Sequence, residues 1–126
     1  MASHINKSRQ ALHSARILLV GNDPDGACNR AYYAIFDAAM ASLLAVSDDN
    51  SAIVPKTHRG LIAAFGKQVV LEGYVGQELG AAFNKVERLR LLADYTGDPI
   101  SAEDADWAVQ QAEAFVAAII AAFNLH

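Results

Sequence analysis

The chain has one cysteine, three prolines and one tryptophan in 126 residues, and each scarcity excludes something. With Cys28 alone there is no internal disulfide and no paired-cysteine metal site, which favours a reducing compartment. Few prolines and 53% hydrophobic residues exclude a disordered tail or linker. No run reaches the roughly 18 apolar residues of a membrane span, and the N-terminus lacks a signal-peptide core. A cytoplasmic protein of one domain, 1–126, is therefore expected. Gly-rich phosphate loops, nucleophile elbows and His-x-x-x-His pairs are also missing, so no metal or cofactor is expected.

Positive charge is scarce too. A net charge of −4 argues against broad, sequence-independent nucleic-acid binding. The distribution is uneven, however. Six of the ten Lys and Arg residues (Lys56, Arg59, Lys67, Lys85, Arg88, Arg90) fall between positions 56 and 90, whereas Asp98 onward carries five acids and no Lys or Arg. A local basic site on an acidic protein is compatible with this pattern.

Helical periodicity dominates what is present, and no strand pattern competes with it. Ser3 is placed to cap a helix to about Leu19, with Ile5, Leu12, Ala15 and Leu19 on one face and Gly21 as its stop. A second helix from about Asp25 to Val46 carries Cys28, Ala31, Tyr32, Ile35, Phe36, Ala39, Met40 and Leu43 at helical spacing and reads as the central one. A polar, mobile loop is expected from Ser47 to Pro55. A third, shorter helix starts near Thr57, its end loosened by glycines 66, 73 and 76. The fourth is expected from about Gly76 to Ala93. Ser101-Ala102-Glu103-Asp104 is a capping-box pattern that opens a fifth. An antiparallel helical bundle buries such stripes.

Three segments carry polar groups that core helices do not need. Arg90 and Asp94 are one turn apart with Tyr95 beside them, close enough for a charge-assisted pair. That pair either orders a helix end or serves a ligand. Arg30, Tyr33 and Asp37 share one face of an otherwise apolar helix, where burial is costly unless the groups are paired. Lys56, His58 and Arg59 crowd a helix start. Arginine is the usual choice for fork-shaped recognition of phosphate or carboxylate.

The order of these segments resembles a known family. Asn29 to Phe36, then Lys56-Thr57-His58-Arg59-Gly60-Leu61 with Phe65, then Glu78-Leu79-Gly80, then Leu89-Arg90 with Ala93-Asp94-Tyr95, and finally Ala112 to Val116 are together similar to HEPN-domain proteins. The likeness is to small single-domain prokaryotic members often encoded beside a minimal nucleotidyltransferase. It implies an up-and-down four-helix bundle with a short additional helix, and a homodimer with a polar site at the subunit interface. It also implies one component of a two-gene toxin–antitoxin-like module that binds RNA or nucleotide phosphate and is regulated by the nucleotidyltransferase. The alternative is a non-catalytic dimeric nucleotide-binding or adaptor module.

Many members are metal-independent ribonucleases that use an Arg and a His four to six residues later. Arg90 matches the Arg, but Tyr95 stands where a His would be, so the pair is incomplete. The site residues expected on this basis are Arg90 and Asp94 as the reactive pair and Arg30, Lys56, His58 and Arg88 as nucleotide or RNA contacts. In some members a Tyr just after the motif is adenylylated by the partner, which points to Tyr95 as a modification site.

Overall fold

The computed structural model describes residues 2–46 and 57–125. The loop expected at 47–55 and Lys56 lie outside those residues. Five α-helices account for the architecture: α1 (Ala2–Val20), α2 (Pro24–Val46), α3 (His58–Phe65), α4 (Gln77–Thr96) and α5 (Ala102–Phe123). The fold is the all-α bundle expected, with one short helix among four long ones. Among the described residues there is no strand, and no helix is long and apolar enough to cross a membrane.

Helix α2 is the hub, packed against all four other helices. Its buried face is rich in alanine, with Ala27, Ala31, Ala34, Ala38 and Ala39 wholly covered. Small side chains there let neighbouring backbones approach closely. Ser8 of α1 uses that proximity: fully buried, its hydroxyl donates to the Ala34 carbonyl at 2.7 Å. Three residues separate α1 from α2, and this tight connection makes the pair antiparallel. Asp23 ends it by accepting from the Gly26 N–H at 3.0 Å, which answers a donor the new helix would otherwise leave unpaired. The α4–α5 connection is tied to the same end of the bundle by the Ile100 N–H, which donates to Asp25 Oδ1 at 2.7 Å.

Below this hub Phe65, Phe83 and Phe115 form a triangle with ring centroids 5.1 to 6.0 Å apart. Tyr32 joins it through Phe83 at 6.1 Å. Phe36 and Phe123 are only partly buried and pack at the margin.

Helix ends depart from expectation in instructive ways. Thr57 and Ser101 are N-caps, accepting from the Gly60 and Asp104 N–H groups at 2.9 and 3.0 Å. Helix α1 begins at Ala2, so Ser3 lies within it rather than capping it. Gly66 does not loosen α3: the chain continues as a π-helical turn, Gly66–Val70, closed by the Leu71 N–H on the Gly66 carbonyl. Four-residue steps in an α-helix drift about 40° around the axis, so Leu61, Phe65 and Val69 would fan out over about 80° of one face. The wider turn removes that drift, and all three are fully buried. Helix α4 runs to Thr96 rather than Ala93, because the chain leaves it at Gly97, whose φ of 73° is left-handed. Asp94 and Tyr95 are therefore helical.

Candidate functional site

The polar segments meet where the first half of α2, the start of α3 and the middle of α4 converge. Tyr32 is the centre. Its ring is wholly buried, yet its hydroxyl has two partners from distant parts of the chain. It lies 2.9 Å from His58 Nδ1 and donates to Glu87 Oε2 at 3.2 Å. An ionised Glu87 can only accept, and a phenol has one proton, so His58 Nδ1 must supply the other hydrogen. The resulting order runs from the His58 N–H to the Tyr32 oxygen and from the Tyr32 O–H to the Glu87 carboxylate. Burial, followed by the Glu87 charge, pushes the Tyr32 hydroxyl well above the ordinary phenol range, and Arg90 opposes this only in part. Tyr32 thus remains a donor under all ordinary conditions.

Arg90 lies against the same ring, its guanidinium carbon 4.5 Å from the Tyr32 centroid, while the His58 ring stacks on Tyr32 at 5.5 Å. The structure therefore brings Arg90 and His58 to one residue. Its tie to Asp94 is loose. The Nη1 to Oδ2 distance is 3.5 Å, and Asp94 is 68% exposed against 14% for Arg90. A long, solvent-screened pair of this kind contributes little, so the ring contact is the main restraint on the guanidinium.

Arg30 repeats the arrangement one residue along: its guanidinium carbon sits 5.3 Å from the Tyr33 centroid. Tyr33 meets His58 edge-on at 5.9 Å, so Arg30, like Arg90, is separated from His58 by one aromatic ring. It opens towards α1. Both arginines keep a buried Nε with no hydrogen-bond partner among the described residues.

Arg88 points the other way. With Arg59 and Ile62 of α3 and Asn84, Glu87, Leu91, Leu92 and Tyr95 of α4 it lines a cleft of about 450 Å³. Glu87 belongs both to this cleft and to the hydrogen-bond chain. Two guanidinium groups, apolar walls and a 92% exposed tyrosine make the cleft basic and amphipathic. Lys56 falls outside the described residues.

Sequence reasoning missed Tyr32 and Glu87 as participants, and it placed Arg59 in a polar segment without naming it as a contact. The periodicity of Tyr32 marks it as core, which is true of its ring, and its hydroxyl contacts span 26 and 55 residues, beyond any local spacing. The one available signal was the block of cations between 56 and 90, which contains Arg59. Among the described residues, no three His, Cys, Asp or Glu side chains are grouped to hold a metal ion.

Comparison with known proteins agrees with the fold and the motif order. The sequence model of the HEPN domain matches residues 1–121. The chain is 38% identical over 112 residues to "Putative toxin MJ0605" of Methanocaldococcus jannaschii, covering 89% of this chain and 80% of that one. A UPF0332 protein of Thermotoga maritima is 34% identical over 116 residues, covering 90% and 83%. Another from Gloeobacter violaceus is 34% identical over 114 residues, covering 89% and 86%. A match that runs through all five helices and each of the polar segments places this chain in the HEPN domain family.

Proposed function

We propose that this protein is the HEPN component of a two-gene toxin–antitoxin-like module, and that it binds RNA or nucleotide phosphate in the cleft between α3 and α4. The carrying observation is that Arg59 and Arg88 line a cleft whose apolar walls adjoin the Glu87–Tyr32–His58 chain. Guanidinium forks suit phosphate oxygens. Leu91, Leu92 and the exposed Tyr95 ring offer a surface on which a base can stack, as in sequence-tolerant single-strand binding. The toxin setting is drawn from a relative named as a toxin and from the resemblance to two-gene HEPN modules. A nucleotidyltransferase partner that acts on Tyr95, and a homodimer, belong to the same reading.

A non-catalytic role is favoured by one specific feature. Arg90, the residue that the resemblance to the family makes the reactive arginine, is laid on Tyr32 and only 14% exposed. The cations offered to a ligand in the cleft are instead Arg59 and Arg88. Cleavage would require His58 to stand in for the missing histidine on α4 and Arg90 to swing off its ring.

Fluorescence anisotropy with a labelled single-stranded RNA tests the binding claim. The expected affinity falls with salt, and Arg59→Gln with Arg88→Gln weakens binding at least about tenfold and flattens the salt slope by about one to two phosphate contacts. Unchanged affinity and slope in the double variant would refute the cleft as the site.

A further inference from the structure

We infer that a second pocket, between α1 and α2, binds a phosphomonoester independently of the α3–α4 cleft. Lys7, Gln10 and Ser14 of α1 recur at helical spacing and face Arg30, Tyr33 and Asp37 of α2 across a space of about 290 Å³. The polar stripe on α2 that was expected to be costly to bury is thus not buried at all points; it forms one wall of this pocket.

The chemistry selects an anion. Lys7 and Arg30 supply two positive charges, and the Gln10 amide and the Ser14 and Tyr33 hydroxyls add neutral donors. The single opposing carboxylate, Asp37, faces His4 Nδ1 at 3.5 Å. Arg30 lies against the Tyr33 ring, and its buried Nε has no partner among the described residues, so part of its guanidinium is not used by the fold.

Donor number and room narrow the class. A carboxylate needs little more than the Arg30 fork, whereas three phosphate oxygens can use donors from Arg30, Lys7 and the hydroxyls together. The pocket is open to solvent and wider than bare phosphate, so it has room for a small organic substituent on the phosphate.

NMR titration of the full chain with inorganic phosphate, and separately with phenyl phosphate, tests the site against sodium chloride at matched ionic strength. Saturable shifts are expected at Lys7, Gln10, Ser14 and the Arg30 side chain, with phenyl phosphate the tighter ligand. Lys7→Gln, an exposed change that spares the fold, is expected to weaken binding at least about fivefold, and Arg30→Lys likewise, because the charge stays but the fork is lost. Arg88→Gln should leave this binding unchanged. Shifts that are linear and equal in chloride, that saturate only at Arg59 and Arg88, or that survive both pocket variants would overturn the assignment. Tighter binding of inorganic phosphate than of phenyl phosphate would overturn the monoester class.

Discussion

A phenol buried at the centre of a bundle usually finds one partner; Tyr32 has two, and both come from other helices. Removing its oxygen leaves Glu87 and His58 without their shared contact while the ring still fills its place. Tyr32→Phe is therefore expected to cost about 1–3 kcal/mol, because two partly buried polar groups lose a partner and no cavity forms. Chemical denaturation reads this directly, and a loss below about 0.5 kcal/mol would show that the chain of hydrogen bonds is incidental. Residue-level legibility was uneven for the same reason. The Arg90–Asp94 pair was readable from a four-residue spacing, and the structure contains it, although as a long and exposed contact. The partner that holds Arg90, the Tyr32 ring, lies 58 positions away in sequence, and no periodicity encodes such a contact. Arg30 and Tyr33 were readable as face-sharing neighbours and do stack. Their opening onto α1 was not readable, since it depends on how two helices rotate against each other.

Element boundaries were legible where a side chain caps and obscure where the backbone does. The Ser101 capping pattern and the start near Thr57 were correct because each places an oxygen on a backbone N–H three residues ahead. The end of α4 was read three residues early. Its true stop is Gly97, which closes the helix with its N–H on the Ala93 carbonyl at 2.9 Å. At φ 73° a side chain is strained, so Gly97→Ala is expected to cost about 1 kcal/mol. The loss should concentrate in the last turn, with faster amide exchange from Asp94 to Thr96. An unchanged midpoint and unchanged exchange would mean that the cap does not hold this end. The π-helical turn after Phe65 escaped prediction because it corrects a drift that appears only once Leu61, Phe65 and Val69 must share one wall.

At the scale of the whole molecule, the surface of α4 that carries the cleft also carries Leu91, Leu92 and Tyr95, exposed by 41, 59 and 92%. A contiguous apolar stripe beside cations suits a contact between protein chains as well as a stacked base. The proposed dimer and the proposed partner both draw on this face. Native mass spectrometry after co-expression with a minimal nucleotidyltransferase, the partner class proposed above, is expected to show a dimer, with an added adenylyl mass that disappears in Tyr95→Phe. A monomer at micromolar concentration contradicts the dimer, and an unmodified mass, or one retained in Tyr95→Phe, contradicts the modification. Tyr95 does not pack its ring against the bundle, which leaves its hydroxyl open to an enzyme. The bundle itself was legible throughout, since alanine-rich and aromatic stripes at helical spacing leave few other ways to bury them. Where the site's parts would meet was not, because three helices and a two-sided tyrosine decide it.

The most direct test of the central claim is photo-crosslinking of the protein to single-stranded RNA carrying 4-thiouridine, with the crosslinked peptides located by mass spectrometry. The account predicts attachment within residues 59–62 of α3 or 84–95 of α4, lost in the variant lacking Arg59 and Arg88. Crosslinks confined to α1 or α5, or equally strong in that variant, would contradict it.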